Sequence, residues 1–157
     1  MSQRLGASPA DLHALVIGGH GDTTMIPLIR LATWNGVPVT QLLSEEEQQA
    51  IVNDTMVGGA TLTKLIGTSA WYAPGASSAA VVESIVRDQK KLFTASVHLE
   101  GEYGQSDINI GVPVTIGKNG WEQIFDLPLN EEEKAAFSKS ADAVRTMNNV
   151  LKEIGAW

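Results

Sequence analysis

The sequence predicts an α+β domain of antiparallel strands packed with long helices. Two observations predict it. Apolar, β-prone runs cluster at residues 92–99, 108–116 and 121–127, joined by connections too short for parallel crossovers. Two further segments carry N-terminal capping signals followed by apolar residues at helical spacing. The chain of 157 residues suits one domain with its own core, and no repeat or Pro/Gly/Ser linker divides it.

Ser8-Pro9-Ala10-Asp11 has the composition of a turn. The apolar run 12–17, bounded by Gly18-Gly19, reads as one buried strand. Residues 23–33 are β-prone, with Pro27 restricting them to a sheet edge or a bulge. Ser44-Glu45-Glu46-Glu47 is a capping box that opens a helix running to about Ile66. Gly58-Gly59 falls in its middle, each glycine costing about 1 kcal/mol relative to alanine, so a kink or a close packing contact is expected there. A loop at 68–74 leads into a helix from about Pro74 to Gln89. Gly117-Lys118-Asn119-Gly120 reads as a hairpin turn between the last two strands. Asn130, with Glu133 three residues on, caps a final helix whose stripe is Phe137, Ala141, Val144, Met147, Leu151 and Ile154.

Composition removes several function classes. Hydrophobic residues make up 43% and charged residues 18%, the balance of a globular domain. A net charge of -7 argues against nucleic acid or an anionic membrane as partner. There is no cysteine, which excludes disulfides, thiolate metal sites and cysteine nucleophiles. No apolar run approaches the roughly 20 residues of a membrane span, and residues 1–8 do not read as a signal peptide, so the expected location is the cytoplasm.

The chemistry is concentrated in Gly18-Gly19-His20-Gly21-Asp22-Thr23, directly after the first strand. A histidine between glycines is open on both sides to a ligand. Imidazole also changes charge around neutrality, which suits proton exchange with a substrate oxygen. The plain alternative is a polar turn whose histidine satisfies backbone groups. Leu15-Val16-Ile17-Gly18-Gly19-His20-Gly21-Asp22-Thr23-Thr24-Met25-Ile26-Pro27 resembles the active-site segment of the lactate/malate dehydrogenase family. The resemblance continues, in order, through Trp34-Asn35-Gly36-Val37-Pro38-Val39, Gly67-Thr68-Ser69-Ala70-Trp71-Tyr72-Ala73-Pro74-Gly75, Gly101-Glu102-Tyr103-Gly104 and Val112-Pro113-Val114-Thr115-Ile116-Gly117. Gly19 is similar to malate dehydrogenases of the lactate-dehydrogenase-like branch, where lactate dehydrogenases usually carry glutamate.

The resemblance implies that residues 1–157 form the C-terminal, substrate-binding domain, without the N-terminal Rossmann domain. It implies His20 as the catalytic acid/base, malate and oxaloacetate as substrates, and a homodimer or homotetramer. It also implies NAD, bound mainly by that N-terminal domain, because no Gly-x-Gly-x-x-Gly fingerprint opens a helix in this sequence. The family's arginine, which grips the substrate carboxylate, and the aspartate that pairs with the histidine lie a little over twenty residues before it. Arg4 is not at the matching position and Asp22 belongs to the motif itself, so the chain alone is expected to be inactive. The loop at Ser69 and Ala70 lines the substrate pocket in family members, and its small residues leave room for a dicarboxylate. Its alternative is a helix start capped by Thr68 or Ser69.

Other residues read as structural. His13 and His98 sit in β-runs, and the spacing of the three histidines is no metal pattern. The acidic runs at 45–47 and 131–133 are explained by helix starts. Trp34, Trp71, Trp121 and Trp157 read as core, interface or terminus anchors. Two readings compete with the malate one: the corresponding domain of a lactate dehydrogenase, and a non-catalytic oligomerisation or interaction domain of the same fold.

Overall fold

The computed structural model describes residues 1–156, and Trp157 lies outside the described residues. A short helix α1 (Ser2–Leu5) leads to a 3-10 turn at Pro9–Asp11, which the Ser8 hydroxyl caps by accepting from the Ala10 N–H. The run expected to form one strand forms two. Strand β1 (Leu12–His13) and strand β2 (Val16–Gly18) enter different sheets. The chain turns between them because each half has its own partner. β1 pairs with β4 (Thr33–Trp34), whereas β2 pairs with β3 (Met25–Pro27). Of the β-prone stretch 23–33, only its middle and its end are therefore strand, with a 3-10 turn at Ile29–Leu31 between them. Pro27 sits where a missing N–H is tolerated, on β3 at the edge of its sheet. A two-residue hairpin, Asn35-Gly36, links β4 to β5 (Val37–Pro38), with φ of 46° and 87° at its two residues. That Asn-Gly pair is a hairpin signal the sequence reading passed over.

The capping box forms as expected. The Ser44 hydroxyl accepts from the Glu47 N–H, and the Glu47 carboxylate accepts from the Ser44 N–H. The helix it opens does not run through to Ile66. It breaks at Val57 into α2 (Glu45–Met56) and α3 (Gly58–Ile66). Of the two expectations for Gly58-Gly59, the kink is realised. No heavy atom comes within 4 Å of a Cβ built on either glycine, so no close contact within this chain needs them. Helix α4 (Tyr72–Val86) starts ahead of Pro74, which lies in its first turn, where a missing N–H leaves no bond unmade. Its N-cap is Trp71 with no side-chain cap, so neither Thr68 nor Ser69 caps it.

The centre of the molecule is the long hairpin of β6 (Lys91–Glu100) and β7 (Ser106–Gly117). β7 also pairs with β2 and with β8 (Gly120–Ile124) on its other side. The third β-run thus ends at Ile124 rather than Leu127, because Tyr103 pulls the chain out of the sheet. The Tyr103 hydroxyl donates to the Phe125 carbonyl and accepts from the Leu127 N–H. Ile108, Ile110, Val112, Val114 and Ile116 alternate along β7 and are all buried. They meet Val97 and Leu99 of β6 and, from α5 (Glu131–Glu153), Phe137 and Ala141. Asn130 caps α5 with a second complete capping box. Ser84 anchors α4 by donating to the Ile116 carbonyl and accepting from the Lys91 N–H.

Burial is uneven. α3 has no buried residue, and Leu65, Trp71 and Tyr72 are 78%, 62% and 87% exposed. The far end of the α5 stripe, Met147, Leu151 and Ile154, is also exposed. No helix among the described residues is long and apolar enough to cross a membrane.

Candidate active site

The His20 segment leaves β2 through Gly18, whose φ is 92°, a conformation that side chains other than glycine's rarely adopt. Space is also closed to a side chain there. A Cβ on Gly18 would lie 2.5 Å from the Thr24 carbonyl oxygen and 2.9 Å from Ser140 Oγ. Across the ladder, a Cβ on Gly111 would lie 2.7 Å from the Gly18 carbonyl oxygen. Two backbones therefore approach at a point where neither tolerates a side chain.

Beyond Gly18 the loop closes on itself. The Thr24 and Met25 N–H groups both donate to the Gly21 carbonyl, at 2.9 and 3.0 Å. The Thr24 hydroxyl accepts from the Gly21 N–H at 2.8 Å. Ser140, from α5, accepts from the Gly19 N–H and donates to the Thr24 carbonyl, each at 2.8 Å. The result is an ordered turn with His20 exposed at its outer side. His20 is among the residues lining a cleft of about 660 Å³, together with Ile17, Gly18, Gly111, Met25, Asn109 and Val144. The arrangement offers an accessible proton-exchanging group on a rigid support beside a space large enough for a small acid.

The other predicted residues are placed differently. Ser69 is exposed and Ala70 half-buried, in the segment between α3 and α4. Neither is among the residues lining the His20 cleft. Asp22 is exposed within the turn. His13 and His98 are exposed on β1 and β6, and no group of metal-ligating side chains forms among the described residues. The acidic triplets stand at helix starts, as read. Glu47 serves its capping box, where the Ser44 N–H holds its carboxyl below the usual value. Glu133 serves the second box and also pairs with Arg30, which holds its carboxyl low. Trp34 is half-buried, while Trp71 and Trp121 are exposed.

Sequence reasoning missed Ser140. It lies on the stripe of α5 beside Ala141, so its burial was legible, but its partners are more than a hundred residues away in sequence. The one available signal was a serine on an otherwise apolar helix face, a polar group that must find a partner when buried.

The His20 turn does not provide the pyrophosphate seat that the nicotinamide dinucleotide implied by the resemblance requires. Dinucleotide pyrophosphate is held by a glycine-rich turn that opens a helix. Here the glycine-rich turn runs from strand β2 into strand β3, and its Gly19 and Gly21 N–H groups are already bonded to Ser140 and Thr24. These residues do not fit the dinucleotide.

Comparison with known proteins agrees with the geometry. Residues 1–154 match the lactate/malate dehydrogenase α/β C-terminal domain. A malate dehydrogenase of Flavobacterium frigidimaris is 65% identical over 154 residues, which is 98% of this chain and 50% of that protein. The solved malate dehydrogenase of Aeropyrum pernix superposes with a TM-score of 0.90 at 42% identity, covering 95% of this chain and 50% of that one. A lactate dehydrogenase of Eimeria maxima, solved with NADH and oxamate, superposes with a TM-score of 0.93 at 39% identity, covering 99% of this chain and 50% of that one. The chain spans about half the length of the curated relatives it matches. A glycine-locked histidine turn, a fold shared with both kinds of enzyme and a family match over residues 1–154 place this chain in the lactate/malate dehydrogenase family, as its C-terminal domain.

Proposed function

We propose that this chain is the substrate-binding, proton-transferring half of an NAD-dependent malate dehydrogenase that interconverts malate and oxaloacetate. The observation that carries the proposal is His20, exposed at the rim of the cleft on a loop locked by Gly18 and Ser140. His20 gives a proton to the carbonyl oxygen of oxaloacetate and takes one from the hydroxyl of malate. Hydride chemistry belongs to NAD, held by residues outside these 157. The arginine that grips the carboxylate and the aspartate that pairs with the histidine come from there too. Ser69 and Ala70 are the proposed substrate contacts from this chain. Since they lie outside the lining of the cleft, they reach the substrate only when the other half closes the site. The exposed apolar surface of α3 and of the start of α4 supports docking of that half and assembly as a homo-oligomer. The setting that fits this chemistry is the cytoplasm and the tricarboxylic acid cycle, with no role for nucleic acid or membrane.

Gly19 supports malate over lactate, as does the 65% identity to a malate dehydrogenase. The Eimeria maxima neighbour keeps the lactate reading as the second one. The test is NADH oxidation with oxaloacetate or pyruvate, by the chain alone and after mixing with the nucleotide-binding half of a related malate dehydrogenase. The expected result is silence alone and oxaloacetate-dependent activity on mixing, reduced by about 100-fold or more in His20→Asn. Preference for pyruvate moves the assignment to lactate. Full activity in His20→Asn overturns the role of His20, and silence in every mixture favours a non-catalytic interaction domain.

A further inference from the structure

The loop that carries His20 has both its ends on one side chain. The β2–β3 ladder stops at the pair Gly18↔Met25, and the chain beyond it has no strand partner. Ser140 takes over there. It is 3% exposed, and its hydroxyl accepts the Gly19 N–H while donating to the Thr24 carbonyl. One hydroxyl proton and its lone pairs allow both bonds at once. Phe137 and Ala141, on the same face of α5, are 1% and 0% exposed, so this part of the helix is seated in the core. The inner turn is already tied by Thr24 to Gly21. Ser140 therefore does something the inner turn cannot: it fixes the whole loop relative to the body of the protein.

We infer that Ser140 is a positioning residue for His20, holding the imidazole at the cleft through the backbone on either side of it. The inference rests on the reading of His20 as the acid/base. Alanine at this position changes the volume by a single atom, so the oxygen acts by bonding rather than by filling space. Without it, the Gly19 N–H and Thr24 carbonyl lose partners in a partly buried setting, and the loop shifts to regain them. Proton transfer is sensitive to such shifts, a displacement of about 1 Å costing about 100-fold.

The test uses Ser140→Ala and Ser140→Thr in the 157-residue chain, with amide hydrogen exchange read at Gly19 and at Ile110 in the core of β7. In Ser140→Ala, Gly19 is expected to exchange about 10-fold faster or more while Ile110 is unchanged. Ser140→Thr, which keeps the hydroxyl, restores protection. In the mixture with the nucleotide-binding half, Ser140→Ala is expected to lower kcat for oxaloacetate by about 10- to 100-fold with KM for NADH unchanged. Unaltered exchange at Gly19 overturns the inference. So does acceleration of Ile110 in step with Gly19, which makes the effect global, or intact kcat beside a loosened loop. If the unaltered mixture is silent, the reading of His20 fails, and the exchange rates still decide whether Ser140 clamps the loop.

Discussion

At the scale of single residues, two glycines that look alike in sequence do opposite work. Gly111 is a contact. Its missing Cβ lets the Gly18 carbonyl come close enough to seat the His20 loop on the central strand. Gly59 lies in open space at the start of α3, where glycine costs helix stability and no contact within this chain requires it. Gly111→Ala should therefore destabilise the chain by about 2 kcal/mol, as forced overpacking does. Gly59→Ala should stabilise it by about 0.5–1 kcal/mol. Urea unfolding of the pair checks this, and equal effects would mean that the crowding around Gly111 relaxes away. The central motif was legible at this scale because a glycine-flanked histidine is a local pattern. Ser140 was not, since nothing near it in sequence says that its partners are Gly19 and Thr24.

At the scale of elements, local chemistry was readable and tertiary choice was not. Both capping boxes are spelled out within four residues, at Ser44 and at Asn130, and both form. The hairpin of β7 and β8 likewise follows from its turn. The run at 12–17 misled because its two halves are claimed by different sheets, a fact held by Trp34 and Pro27 rather than by the run itself. The helix expected through Ile66 broke at Val57, where two following glycines leave little to resist a bend.

One tie between elements gives a pH prediction. Arg30 makes two hydrogen bonds to Glu133, at 3.1 and 2.8 Å, joining the turn after β3 to the first turn of α5. The hydrogen bond from Arg30 is the main cause holding the Glu133 carboxyl below its ordinary value of 4.5. A carboxyl lowered in the folded state adds stability that is fully present above that ordinary value. The stability is lost as pH falls through the lower folded value. Arg30→Ala should cost about 1 kcal/mol at neutral pH, the pair being partly exposed and screened by salt. Its deficit should shrink as the medium is acidified below about pH 4, because the unaltered protein loses the same contribution there. Thermal melts of both proteins between pH 3 and 7 measure the difference, and a deficit independent of pH would assign the effect of Arg30 to packing.

At the scale of the whole molecule, the uncovered surface is the dominant feature. Helix α3 buries none of its side chains, and Leu65, Trp71 and Tyr72 stand in solvent together with the end of the α5 stripe. Scattered exposed apolar residues are ordinary, whereas a contiguous patch of them favours association. Light scattering on the chain alone should show a mass that rises with concentration. Leu65→Glu should return it toward that of one chain without lowering stability, since Leu65 is 78% exposed and leaves no cavity. A monomer at all concentrations would remove the argument for a homo-oligomer through this face.

The placement of the His20 loop also sets an order in time. β6 and β7 pair from Glu100↔Ser106 outward, across a short connection. Loop-closure cost rises with the length of chain enclosed, so this hairpin can form before anything distant has arrived. The loop has no such local route. Its seat needs Gly111 from the hairpin and Ser140 from a helix still further along the chain. His20 thus depends on contacts far more distant in the chain than those of the central hairpin, and a chain whose hairpin has formed before α5 docks has a sheet but no seated His20 loop.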